Sequence, residues 1–410
     1  MNVSWNRLQR LFRVSALFAS ITYLNTAISI VQFSVITTLL SRDELGIYGI
    51  WMAVAMLTST IAAWGIVPVG IRLAASNGNA HGIAALGAMC SVFISLLVVP
   101  VAVIVDELFT ITKHEPLWLC FACIGGSLMT VREILFIPLH NKQLFNKIGL
   151  VRLVNTLLVA LLSVYLVINN PYAKSIIFAS LIVNAAIVLY LLCSFEKSQA
   201  LKSQYKDHIK IVKKILKEGS PITVLNLSSA AFNRLDWIVL GTVTTPFVVG
   251  GYSVVYRLYE FSYQLTSPFT TMLYPRFCKG DIDWPKRLWK IRNKVMFGGA
   301  SISIFAICLF PMITEFFWPG KFSDQYLTFI ILMSGLPFIF MVGIMYQYYM
   351  SQGMQTYLLK ISLFSMVTNT VLLLTLVPRY HAYGAAVATL IPQLIQYIHM
   401  ARGLRRRVII

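Results

Sequence analysis

Twelve stretches of roughly 20 or more mostly apolar residues alternate with short polar segments along the chain. They cover 14–40, 46–70, 84–105, 117–139, 149–168 and 175–194 in the first half, and 219–241, 249–275, 294–317, 326–350, 358–378 and 383–400 in the second. About 20 helical residues rising 1.5 Å each cross the ~30 Å hydrocarbon layer of a bilayer, so each stretch predicts a transmembrane helix. The first run is too long for the apolar core of a signal peptide and a second follows at once, which predicts a retained helix. The pattern therefore predicts an all-α polytopic membrane protein. Its expected parts are a cytoplasmic segment over 1–13, a six-helix bundle over 14–194, a linker over 195–218, a second six-helix bundle over 219–400 and a tail over 401–410.

Composition agrees. Of the 410 residues, 58% are hydrophobic and 12% charged, against about 45–50% and about 25% in soluble domains. A soluble globule cannot cover that much apolar surface. Six cysteines lie mostly within the apolar runs, where they read as small packing residues; Cys120 and Cys123 form a C-x-x-C without the second pair or histidines that a metal site needs.

The formal charge of +19 would ordinarily suggest nucleic acid or an anionic surface. Placing the N-terminus in the cytoplasm assigns 26 basic residues to cytoplasmic segments and 5 to the opposite side. That asymmetry is the positive-inside pattern of a protein with both termini in the cytoplasm, and it removes the case for nucleic acid. The lysines at 197, 202, 206, 210, 213, 214 and 217 make the linker a basic amphipathic segment suited to the lipids of the anionic inner leaflet.

Three arginines remain inside predicted spans, Arg132, Arg234 and Arg257, with the acids Glu133, Asp236 and Glu260 close by in sequence. Charges in a membrane cost several kcal/mol unless they pair or face a hydrated interior. Residues one or two apart do not share a helix face, so only Arg257 and Glu260 are expected to pair within one helix. The others need partners across helices, water or a ligand. Asn25, Gln32, Asn155, Asn226, Asn233, Gln264 and Asn369 are further polar residues within spans. They suit either interhelical hydrogen bonds or contact with hydroxyl groups. Phosphate-binding glycine loops and paired catalytic carboxylates are missing from the sequence, and the histidines fall in outer loops (His114, His381) or at cytoplasmic edges (His81, His140, His208, His399), so no cofactor is expected.

The halves echo each other. Leu45-Gly46-Ile47-Tyr48-Gly49-Ile50 opens the second span with Arg72 24 residues after Tyr48; Val249-Gly250-Gly251-Tyr252-Ser253-Val254 opens the eighth with Arg276 24 residues after Tyr252. Asn25 and Asn226 repeat in the opening spans, and Asn155 and Asn369 in the fifth of each half. Together these suggest two pseudo-symmetric repeats around a central cavity.

With Tyr274-Pro275-Arg276 and Tyr383-Gly384-Ala385-Ala386, the chain resembles the polysaccharide-transporter branch of the multidrug/oligosaccharidyl-lipid/polysaccharide (MOP) exporter superfamily. More narrowly it resembles the O-antigen repeat-unit flippases of Gram-negative bacteria. The resemblance implies alternating-access export of an undecaprenyl-diphosphate-linked oligosaccharide from the inner to the outer leaflet of the bacterial inner membrane. It also implies a cationic cavity and, as pathway partners, a glycan polymerase and chain-length proteins. On that reading Arg132, Arg234 and Arg257 are candidate cations for the diphosphate or an anionic sugar, the seven amides are candidate sugar contacts, and Asp236, Glu133 and Glu260 are candidates for ion coupling. The alternatives are multidrug extrusion by the related branch, for which three spanning arginines are a poor lining for cations, and a membrane glycan polymerase or acyltransferase. Those enzymes call for a large outer loop or an intramembrane histidine, and the longest predicted outer loop is about eleven residues, near Asp106 to Pro116.

Overall fold

The computed structural model describes residues 5–77, 79–109, 115–194, 205–264, 266, 270, 273, 277 and 284–409. The described residues are helical, with no strand among them. In chain order the helices are α1 (Trp5–Leu39), α2 (Arg42–Ala63), α3 (Ile66–Asn77), α4 (Ala80–Phe109), α5 (Pro116–Leu135), α6 (Ile137–Asn141), α7 (Phe145–Asn169) and α8 (Ala173–Ser194). There follow α9 (Tyr205–Val243), α10 (Pro246–Gln264), α11 (Trp284–Phe317), α12 (Tyr326–Ser334), α13 (Leu336–Ser351) and α14 (Gln355–Ile409).

Nine helical stretches among the described residues are long and apolar enough to cross a membrane. One of them, Gln355–Val408, contains both of the last two expected spans. Its helix is interrupted at His381, whose φ of 48° is non-helical. Asn369 donates to the Ala388 carbonyl at 2.9 Å, and the Tyr357 hydroxyl to the His399 carbonyl at 3.0 Å, so α14 doubles back as a hairpin near Pro378. The seventh expected span lies in α9 and residues 249–264 of the eighth in α10; neither is among the nine, and the rest of the eighth falls largely outside the described residues.

Breaks fall where the backbone requires them. Trp64 and Gly65 take φ of 38° and 60° between α2 and α3, dividing the expected 46–70 span. A Cβ on Gly219 would overlap the Trp64 carbonyl, and the Trp64 indole donates to the Leu216 carbonyl at 3.1 Å, so α9 packs directly under this bend. Residues 205–218 of the expected linker are the first turns of α9; residues 195–204 lie outside the described ones, as do Arg276 and the Tyr274-Pro275-Arg276 motif. The 326–350 span is divided at Gly335, ahead of Pro337, into α12 and α13.

The chain forms two compact units. The first comprises Met1–Leu40 and Trp51–Leu227. Its core centres on Ile66, Ile134, Phe136, Ile137 and Ile215, all fully buried. In it α1 lies along α7: Gln32 donates to Ser163 at 2.8 Å, and Ile21 packs over Gly149.

The second unit comprises Ser41–Ile50 and Ser228–Ile410. Its core includes Phe277, Met341, Met345, Tyr349 and Leu404. The two echoing motifs meet here. A Cβ on Gly46 would overlap the Pro246 carbonyl, and one on Gly250 would overlap the Arg42 carbonyl. The contact is reciprocal: position 46 meets 246 and position 250 meets 42, the same four-residue step taken from each helix. Only residues without side chains allow two helices this close an approach.

Arg42 secures the crossing. Its buried guanidinium forks onto Asp324 at 2.8 and 2.6 Å, donates to the Phe247 carbonyl at 3.0 Å and lies 4.0 Å from the Phe247 ring centroid. Ser41 caps the helix by accepting the Glu44 amide at 3.2 Å. Burial pushes the Asp324 carboxyl up, but the hydrogen bonds from Arg42 and Gln325 outweigh it, and the group titrates below its usual range. The stabilisation it confers is therefore complete above the ordinary carboxylate pKa near 4 and is lost as pH falls through the lower folded value. Asp324 is 51% exposed, so Asp324→Asn is expected to cost only about 1 kcal/mol, read as a small drop in thermal midpoint at pH 7 that disappears in strong acid.

Candidate functional site

The charges expected within spans gather into two clusters, one in each unit. In the first unit Arg132, on α5, is buried; it donates from Nη2 to Glu133 at 3.0 Å and from Nη1 to Asn184 Oδ1 at 3.5 Å. The contact with Glu133 corrects the expectation that adjacent positions cannot meet. Arg132 reaches round its own helix on a three-carbon stem, and Glu133 turns toward a second cation. That cation is Arg152 on α7, whose Nη2 bonds Glu133 Oε2 while its Nε donates to Oε1 at 3.3 Å. Arg152 is 37% exposed, so this side of the cluster is reachable. Sequence reasoning counted Arg152 with the cytoplasmic charges, because it lies near the start of its apolar run.

In the second unit Glu260, on α10, is the hub. Arg234 of α9 donates to Glu260 Oε1 at 2.7 Å, and Arg257, one turn back on α10, reaches Oε2 at 3.4 Å. Arg234 is buried and lies over the Trp237 and Tyr256 rings, at 4.7 and 5.7 Å from their centroids. Arg257 is 25% exposed. Asp236, fully buried, accepts from the Tyr252 hydroxyl at 2.6 Å and from the Trp237 amide at 2.9 Å. The tyrosine of the second echoing motif thus satisfies a buried acid, a role that sequence did not show.

Each cluster is a glutamate shared by two arginines, leaving one formal positive charge in the first; in the second, buried Asp236 interacts with Arg234 and brings the formal sum to zero. Inside an apolar protein such a group is costly to assemble and attracts anions. Guanidinium forks match phosphate oxygens in geometry and keep their charge at any working pH.

The amides divide. Asn369 is fully buried and donates across the α14 hairpin, but its Oδ1 has no partner among the described residues; Gln32 donates to Ser163. Asn25 and Asn155 each bury a side-chain oxygen that has no partner among the described residues, on the paired helices α1 and α7. Asn226 is exposed, and Gln264 is half-buried at the end of α10. Asn233 lines a cavity of about 320 Å³ within the second unit, bounded by α9, α10, α13 and α14. Sequence gave no hint of this cavity. No group of three or more histidine, cysteine or acidic side chains suited to a metal occurs among the described residues.

A family model described as "Polysaccharide biosynthesis protein" matches residues 11–280. The chain belongs to that family. Among solved structures it is similar to "Lipid II flippase MurJ, inward closed conformation", at 15% identity and a TM-score of 0.76, with 95% of this chain and 87% of that one covered. It is also similar to an inward-facing multidrug resistance MATE transporter of the MOP superfamily, at 13% identity, TM-score 0.71 and coverage of 96% and 98%. A MOP superfamily transporter from Pyrococcus furiosus, described as having reverse polarity of its binding pocket, matches at 14% identity, TM-score 0.63 and coverage of 97% and 95%. At these identities the likeness is one of fold. Curated protein sequences yield no match. Family and fold together make the chain a multi-pass membrane protein of the polysaccharide biosynthesis family with the fold of MOP transporters.

Proposed function

We propose that the protein flips an undecaprenyl-diphosphate-linked oligosaccharide, such as an O-antigen repeat unit, from the inner to the outer leaflet of the bacterial inner membrane, with both of its own termini in the cytoplasm. The observation that carries this reading is the pair of part-buried Arg–Glu–Arg clusters in a protein of a polysaccharide biosynthesis family. The lipid tail of such a substrate stays in the bilayer, while its diphosphate and sugars must cross ~30 Å of hydrocarbon. Arg132, Arg234 and Arg257, joined by Arg152, are the cations for the diphosphate; Arg257 and Arg152 are the less buried arginine of each cluster and meet it first. Asn25, Asn155, Asn226, Asn233 and Gln264 remain the candidate sugar contacts, together with Gln32 and Asn369, each of which also donates one hydrogen bond within the protein.

Moving two negative charges outward across an inside-negative potential of about 150 mV releases roughly 7 kcal/mol, enough to give export a direction. Coupling to protons or sodium would instead pass through Glu133, Asp236 or Glu260, of which Glu133 is the most accessible.

Removal of the gene is expected to leave lipid-linked glycan on the inner leaflet and to deplete surface glycan; unchanged surface glycan would overturn the reading. Arg257→Ala is expected to reduce export at least tenfold in a normally abundant protein, with Arg257→Lys retaining part of it. Full export by the alanine variant would assign this arginine to packing alone. The shared fold keeps multidrug extrusion as the second reading, and drug resistance on overexpression would favour it.

A further inference from the structure

The cavity in the second unit differs in kind from the charged clusters. No charged residue lines it among the described residues, although it lies in the unit that holds Arg234, Arg257 and Glu260. Its walls mix aromatic faces, Phe232, Tyr263 and Tyr346, with the amides of Asn233, Gln347 and Gln396. All three amides are partly exposed, and none of their side chains is hydrogen-bonded to a described residue. Polar side chains within a membrane usually find protein partners. Three that do not, facing one chamber beside flat aromatic rings, are set for an occupant of their own chemistry.

An amide presents a donor and an acceptor together, which is the complement of a ring hydroxyl. Aromatic faces cover the apolar face of such a ring. At about 320 Å³ the chamber is at the small end of ligand pockets, which run from about 300 to 1,000 Å³, so it takes one ring-sized moiety and not a whole oligosaccharide. It also adjoins the charged cluster: the backbone carbonyl of its wall residue Asn233 accepts from Arg234 Nη1 at 3.2 Å, and Tyr263 follows Glu260 by one turn of α10. Ring chamber and cations therefore flank the same two helices.

We propose that this chamber is a subsite for one uncharged sugar ring, read by Gln347, Gln396 and Asn233, beside the cations that hold the diphosphate. The assignment rests on the flippase reading and adds a selection rule. Gln347 and Gln396 discriminate among glycans, and the arginines do not.

The test uses the full-length protein in nanodiscs and two probes: undecaprenyl diphosphate, and the lipid-linked glycan extracted from cells lacking this protein. The wild type is expected to bind the glycosylated probe more than tenfold tighter than the bare carrier. Gln347→Ala with Gln396→Ala should erase most of that preference, about fivefold for each amide, while affinity for the bare carrier stays unchanged and reports an intact fold. Equal affinity of the wild type for both probes, or a preference that survives in the double variant, would overturn the subsite and leave the flippase reading standing. Binding of neither probe by the wild type would overturn both. As an independent check, Gly343 offers a route for filling the chamber: a Cβ there meets only the Thr270 methyl at an ordinary 3.6 Å. Gly343→Leu is expected to block export of the glycan while keeping affinity for the bare carrier; unimpaired export would count against the subsite.

Discussion

Glu260→Ala is expected to destabilise the protein by about 3–5 kcal/mol and to abolish export. Removing this carboxylate strips Arg234, 9% exposed, of its 2.7 Å partner and leaves two guanidinium groups facing each other in a low-dielectric interior. Asp236 compensates only in part: it already acts on Arg234, and each of its oxygens is held by a hydrogen bond, from Tyr252 or from the Trp237 amide. The same variant would be inactive on a purely structural account, so a second one separates the two. Replacing Arg234 and Glu260 together by methionine removes both charges and keeps the volume, and exchanges of this kind are often neutral or stabilising. Thermal unfolding in detergent is expected to recover in the double variant while export stays absent. Recovery of both would show that the cluster only holds α9 and α10 together.

The second large effect lies at the helix crossing. Gly46→Ala and Gly250→Ala each set a methyl group against a backbone carbonyl, of Pro246 and of Arg42 respectively, and neither carbonyl has a rotamer to yield. Each substitution is expected to cost about 1–3 kcal/mol, and valine more. Because both force the same pair of helices apart, the double variant should cost less than the sum of the singles, a coupling that distant sites do not show. Gly298 supplies the contrast. It lies within α11 with open space where a Cβ would be, so Gly298→Ala is expected to be neutral or stabilising by up to about 1 kcal/mol. A crossing variant as stable as Gly298→Ala would refute the close-contact account.

Much of this was readable in advance, and particular residues show where reading stops. The apolar runs placed the helices because burial in lipid imposes length and composition together, with little room for alternatives. Breaks inside runs were missed at Trp64–Gly65 and Gly335, since a bend supported by tertiary contacts leaves the hydropathy pattern unchanged. The Gly-x-Tyr echo was legible as repetition, but its meaning was not: Gly46 and Gly250 serve as a contact surface, and Tyr252 serves Asp236. Arg152 escaped because a charge near a helix end looks solvated until its partner on another helix is known. The neutral chamber escaped because its lining comes from four helices and from Thr266 and Thr270 beyond α10, at positions as far apart as Ser229 and Met400, none unusual alone.

The α14 hairpin bears on how the chain enters a membrane. Its arms are joined by so tight a turn that Asn369 in one finds its acceptor, Ala388, only in the other. If the first arm were released into lipid by itself, the Asn369 amide would stand unsatisfied in hydrocarbon, and Arg379 at the tip would have to cross with nothing following to hold it. The last two spans are thus expected to enter the bilayer as a pair rather than one after the other.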